Sequence, residues 1–226
     1  MLLWFVSTLF LAYDFPDTEL TDLEIDAAGT VWLLPVSDPA VIRLKANGEQ
    51  NRFETGFADL PAGLALSAAG RWAISFQSSG VLLKYDSDDI LLEEIAVPGP
   101  GDVLFSGLSI WTVDIMRGNV ISSNGEIIAR NCGSRDSRLC LERTGLGMIS
   151  GSRGVFLLEA GEIPVRIADN GSACFSQNGI LLLCDGTLKT IEGDTLLTDL
   201  PYSRISASPG GETTVLWGNA VPMVLE

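Results

Sequence analysis

The stretch "LTDLEIDAAGTVWLL" (Leu20 to Leu34) sets Leu23 and Ile25 in alternation with Asp22 and Glu24, pauses at Asp26-Ala27-Ala28-Gly29, and resumes as the bulky run Val31 to Leu34. Alternation at period two followed by a Gly turn and a second apolar run predicts two antiparallel strands. The same outline returns as "AGLALSAAGRWAIS" (Ala62 to Ser75), so the chain is searched for a repeat. A Gly-containing turn ahead of a bulky apolar residue recurs at Ala27 to Trp32, Ala68 to Trp72, Phe105 to Trp111, Gly151 to Phe156, Gln177 to Leu181 and Pro209 to Trp217.

Each unit reads as four short strands. In the second they are Leu64 to Ser67, Trp72 to Phe76, Val81 to Tyr85 and Ile90 to Val97, and in the third Val103 to Phe105, Ser109 to Val113, Asn119 to Ser122 and Glu126 to Ala129. The fifth places Ala173 to Ser176, Ile180 to Cys184, Thr187 to Ile191 and Thr195 to Leu197 around the tight-turn dipeptide Asp185-Gly186. Small sheets of this kind bury their faces by packing radially around an axis. The predicted class is therefore all-β, a six-bladed β-propeller. Five blades is the alternative, because the fourth unit, Leu146 to Ile167, lacks an outer strand in this reading. The last unit supplies three strands, Arg204 to Ser206, Thr213 to Trp217 and Val221 to Leu225. An N-terminal strand from within Leu9 to Thr18 is expected to join that blade and close the ring. Residues 13–226 then form one domain.

Of 226 residues, 46% are hydrophobic, ample for a core. The net charge of -15 repels phosphate backbones and argues against nucleic acid as a partner. There is no histidine, which removes Ser-His-Asp, Cys-His and HExxH chemistry. The uncharged apolar segment of residues 1–12 is either a secretory signal or membrane anchor that lacks a positive n-region, or a buried strand of the fold. Cys132, Cys140, Cys174 and Cys184 contain no CxxC pair; their spacing fits two local disulfides, Cys132 with Cys140 and Cys174 with Cys184, as in a secreted, periplasmic or extracellular protein. The competing reading is four buried thiols.

Thr21 to Leu34 and Gly63 to Ser75 resemble the blade pattern of the NHL-like, streptogramin-lyase-like and SMP-30/gluconolactonase-like propellers. The resemblance implies a fold. Streptogramin-lyase-like enzymes depend on a catalytic histidine, absent here. SMP-30-like lactonases hold a divalent metal with Glu, Asn and Asp; Glu24, Asp26, Asp114 and Asn119 have that chemistry but do not align with the family's metal positions.

Two charged segments remain. The acidic run Asp86 to Asp89 lacks the Gly and distal Glu of a calcium loop and reads as a solvated hairpin tip. The insert Arg130 to Gly145 concentrates Arg130, Arg135, Arg138 and Arg143 on an acidic protein, which marks it as a candidate docking loop for an acidic partner surface. Trp32, Trp72, Trp111, Phe156 and Trp217, one per repeat, read as inter-blade packing. The expected function is a non-catalytic, exported protein-binding scaffold or accessory subunit, with no cofactor. Membrane association is expected through residues 1–12 or through a membrane-bound partner. The alternative is a lactonase or hydrolase with a carboxylate-ligated cation in the central channel.

Overall fold

A computed structural model of the chain describes residues 13, 15–141, 146–159, 162–177, 179–208 and 211–225, and every regular element among them is a β-strand. Blade 1 comprises β1 (Leu20–Ile25), β2 (Val31–Pro35), β3 (Ala40–Leu44) and β4 (Gln50–Glu54); blade 2, β5 (Pro61–Leu66), β6 (Trp72–Phe76), β7 (Val81–Tyr85) and β8 (Leu91–Ala96). Blade 3 holds β9 (Pro100–Ser106), β10 (Ser109–Asp114), β11 (Asn119–Ser122) and β12 (Ile127–Ala129). Blade 4 holds β13 (Arg138–Leu141), β14 (Gly147–Gly151), β15 (Gly154–Leu158) and β16 (Val165–Ala168). β17 (Ser172–Ser176), β18 (Gly179–Cys184), β19 (Thr187–Thr190) and β20 (Thr195–Leu197) make blade 5, and β21 (Arg204–Ala207), β22 (Thr214–Trp217) and β23 (Met223–Leu225) make blade 6. Each blade is an antiparallel meander in sequence order. The innermost strands β1, β5, β9, β13, β17 and β21 touch in that order, and β21 returns to β1. The molecule is a six-bladed propeller.

Local chemistry explains the blades. The turn between the first two strands ends on a glycine at φ +79 in blade 1 (Gly29) and φ +78 in blade 2 (Gly70), a conformation that costs glycine little. The glycine N–H closes the turn on the carbonyl of Asp26 or Ser67, and the side chain of that same residue accepts N–H groups further along the turn. Packing then joins the blades. Trp32, Trp72, Phe76 and Leu64 fill the interface between blades 1 and 2, Leu104, Trp111, Leu139 and Ile149 that between blades 3 and 4, and Leu23, Trp217 and Val224 that between blades 6 and 1. The aromatic of each repeat is a packing residue; Phe156 is partly buried against the cluster between blades 3 and 4.

Three expectations need correction or completion. Blade 4 has its outer strand, β16, and its innermost strand, β13, lies inside the segment read as an insert. Arg138 and Cys140 broke the apolar alternation that would have revealed it. The cysteines are free thiols rather than two disulfides. Cys174 lies opposite Leu181 in the ladder, three residues from Cys184, about 10 Å along the strand and too far to bridge. Cys132 packs with Leu139 between blades 3 and 4, whereas Cys140, next along β13, points to the opposite side, between blades 4 and 5. Of the segment expected to close the ring, residues 9–12 and 14 lie outside those described, and 13 and 15–18 form no strand; blade 6 has three strands among the described residues, and Tyr13 and Phe15 pack on the cluster shared with blade 1.

Gly63 tests the tightness of the hub. A Cβ there would sit 2.6 Å from Asp102 Cα and 2.9 Å from its Oδ1. Gly63→Ala is expected to destabilise the fold by about 1–3 kcal/mol, read by urea denaturation.

Candidate functional site

The channel is built from equivalent positions on the six innermost strands. The first ring is Asp22, Gly63, Asp102, Arg138, Ser172 and Arg204; bulges just before Asp22 and Gly63, and beside Asp102, turn these positions toward the hub. In odd blades the side chain is an acceptor, and in even blades the next residue offers its N–H. Leu64 N–H donates to Asp22 Oδ2 at 2.8 Å, Leu139 N–H to Asp102 Oδ2 at 2.6 Å and Ile205 N–H to Ser172 Oγ at 3.1 Å. Blades 1 and 2, 3 and 4, and 5 and 6 are thereby stitched in pairs.

Arg138 spans this ring. Its Nη1 donates to Asp102 Oδ1 at 3.3 Å, its Nη2 donates to the carbonyl of Thr21, and its Nε stands 3.8 Å from Asp22 Oδ1. One side chain of blade 4 thus holds blade 3 beside it and blade 1 opposite it, with its guanidinium carbon 5.6 Å from the centre of the Trp217 ring of blade 6. Arg204 Nη1 donates to the Asp136 carbonyl at 2.8 Å, anchoring the chain that leads into β13. Together these groups bar the channel.

Two residues further along each strand lies a second ring: Glu24, Ala65, Leu104, Cys140, Cys174 and Ser206. Glu24 is the charged member, and its carboxyl makes no hydrogen bond among the described residues. Burial, then the neighbouring charges of Asp22 and Asp102, hold its pKa well above the usual value of 4.5, against the pull of Arg138. Asp102 is also raised, by burial first and then by Asp22. Burial also raises the Cys140 thiol, and burial followed by Glu24 takes Cys174 up to about 12, so neither is a thiolate nucleophile. Beyond this ring opens a cavity of about 560 Å³ with walls of Leu66, Leu104, Phe105, Leu141, Phe175 and Ile205. Glu24 and Arg138 stand at its inner end.

The structure distributes the sequence-derived candidates widely. Arg130 and Arg135 are exposed on the connection from blade 3 to blade 4, Arg138 is in the hub rather than on a docking loop, and Arg143 lies outside the described residues. The connection is held without a disulfide: Asp136 accepts the Ser134 and Ser152 hydroxyls and the Ser152 N–H at 2.6–2.8 Å, and Gly133 N–H bonds the Gly118 carbonyl. Asp89 is more than part of a solvated tip. It pairs with Arg43, which covers Trp32 at 3.9 Å, and accepts the Trp72 indole N–H at 3.0 Å.

A divalent cation of the kind the lactonase resemblance implies does not fit the hub. Asp22 and Asp102 are taken by a guanidinium and backbone N–H groups, Asp26 closes its own turn and bonds the Trp32 indole, and Asp114 and Asn119 face each other across β10 and β11. Among the described residues no three His, Cys, Asp or Glu side chains are grouped to hold a metal ion. The hub charges Asp22 and Asp102 went unread in the sequence. Their signal was an aspartate at the same offset, third in each of two innermost strands.

Two outcomes follow for stability. Arg138→Ala strands the buried aspartates and is expected to cost about 3–5 kcal/mol in denaturant unfolding. Glu24 binds its proton more tightly folded than unfolded, so the stability it contributes is full below its ordinary value and is lost as pH rises through the raised one. Glu24→Gln should therefore unfold with the wild type near pH 4 and exceed its stability at pH 8, measured by thermal melts.

No protein-family model matches the sequence, and no curated protein is detectably similar to it. Solved structures match the fold. Catalytically inactive virginiamycin B lyase from Staphylococcus aureus with quinupristin superposes with a TM-score of 0.66 at 11% identity, over 92% of this chain and 84% of the lyase. A gluconolactonase from Xanthomonas campestris gives 0.66 at 13% identity, over 96% and 88%. YCF48 bound to D1 peptide gives 0.61 at 11%, over 92% and 78%. At these identities the likeness is one of architecture alone: the chain shares the β-propeller fold of these proteins.

Proposed function

We propose that the chain is a non-catalytic propeller that binds other proteins, as a scaffold or as an accessory subunit of a larger assembly. The observation that carries this reading is a local reversal of charge. On a protein of net charge -15, the exposed Arg117, Arg130, Arg135 and Arg153 gather where blades 3 and 4 meet, at the end of the channel that carries the blade-to-blade connections. Arg153 reaches to the backbone of Gly118, beside the loop held by Asp136. A pinned basic loop loses little entropy on docking, which suits recognition of an acidic partner surface. The absence of histidine supports a binding role over lyase-type chemistry, and the peptide complex of YCF48 supports protein binding as a use of this fold. Export to the periplasm or beyond, by way of residues 1–12, belongs to the same reading, and intact mass of the natively produced protein reads out the start of its chain.

Affinity capture from native extracts and membranes is the test, with the wild type beside Arg130→Glu/Arg135→Glu. A stoichiometric partner held at low salt, released at high salt and lost at least tenfold by the double variant is expected. Recovery of no partner, or metal-stimulated lactone hydrolysis by the purified protein, would overturn the proposal.

A further inference from the structure

The cavity opens at the end of the channel opposite the basic patch. Its walls are the C-terminal ends of β5, β9, β13, β17 and β21, so this end carries the turns between the first and second and between the third and fourth strands of every blade. The turns between third and fourth strands, at the outer edges of the blades, are acidic: exposed Glu49, Asp88, Glu126, Glu162, Glu192 and Asp194 lie on them, with Lys45, itself paired to Glu49, as the described cation, while Arg71 on a turn between first and second strands lines the cavity. Leu108, 80% exposed, lines the mouth and adds an apolar lip.

At the inner end Glu24 is, among the described residues, the carboxyl without a cation of its own. Asp22, Glu24 and Asp102 face Arg138 and Arg204, and the two aspartates already hold Arg138. Glu24 is left with no hydrogen-bond partner among the described residues, on the boundary between the buried hub and the cavity. A group entering from the mouth passes Arg71 at the rim, then aliphatic and aromatic walls, and reaches the Glu24 carboxyl beside the already paired Arg138. The complement of that sequence is a flexible hydrocarbon stem ending in a cation, because such a stem buries its methylenes along apolar surface while its head seeks a charge.

We propose that this cavity receives a lysine or arginine side chain from a basic segment of a partner protein, with Glu24 as the counter-ion. The acidic outer turns of this face and the net charge of -15 attract the segment, and the apolar walls take the stem. Binding favours the Glu24 carboxylate, paired with the incoming ammonium or guanidinium; any proton the carboxyl carries passes to solvent, and no bond other than O–H is broken. Arg138 remains clamped between Asp22 and Asp102 and keeps the floor rigid. The inference rests on the protein-binding reading for the source of the side chain and not for the chemistry of the pocket.

The probe is a capped tripeptide with a central lysine, compared with arginine, norleucine and glutamate versions and titrated into the whole chain to about 10 mM, which detects millimolar affinities. Calorimetry at pH 7 in two buffers of different ionisation enthalpy reads proton release. Lysine and arginine peptides are expected to bind at least tenfold more tightly than norleucine, with marked weakening by salt and with any proton release confined to the wild type. Glu24→Gln is expected to lose at least tenfold in affinity and all proton release while melting no lower than the wild type. Equal binding of lysine and norleucine peptides, no binding of either, or a Glu24→Gln variant that binds unchanged would overturn the proposal. Peptide binding without any native partner would instead retire the scaffold reading and leave the pocket assignment standing.

Discussion

The contact between Arg138 and the two aspartates is the constraint around which the hub is arranged. A propeller is otherwise a set of neighbour interfaces, each sheet touching the one before and the one after. Arg138 adds a tie across the axis, from blade 4 to the Thr21 carbonyl and Asp22 of blade 1, and it shares Asp102 with blade 3. The desolvation it suffers is large, and it is tolerated because the aspartates supply opposite charge and are themselves fixed by backbone N–H groups. Removing the side chain of residue 63 follows from the same demand for space, since Asp102 occupies that volume.

The tie also crosses the channel at the inner end of the cavity. Outward from the guanidinium the ring of Glu24, Ala65, Leu104, Cys140, Cys174 and Ser206 widens into a cavity with apolar walls. Glu24 takes its unusual protonation from this position. It is near enough to Asp22 and Asp102 to feel their charge and too far from Arg138 to share its hydrogen bonds. The two ends of the molecule then differ in chemistry, basic where blades 3 and 4 are joined and acidic on the outer turns of the face that bears the mouth.

Much of the fold was legible because blade geometry is written in local signals. Trp72 to Phe76, Val81 to Tyr85, Asn119 to Ser122 and Thr195 to Leu197 coincide with strands as read, each bounded by a turn whose chemistry is visible in the residues themselves. The hub was less legible for a physical reason: its members are polar residues on strands, and a period-two apolar pattern is blind to side chains that face a channel. Arg138 and Cys140 therefore made β13 look like loop, and Asp22 and Asp102 looked like surface. The cysteines misled in the opposite sense, because sequence spacing says nothing about which side of a strand a thiol occupies. Asp89 was read as solvent-facing for want of Arg43, which is distant in sequence and adjacent only once two blades have packed.

The alternation of the first ring carries a parity rule. Acceptor side chains on blades 1, 3 and 5 satisfy N–H groups on blades 2, 4 and 6, so like never meets like around the circle. An odd number of blades would force two acceptors or two donors together at one seam, with a buried group left wanting. The structural module of the hub is accordingly a couple of blades, and the circle of hydrogen bonds is three such couples rather than six copies of one.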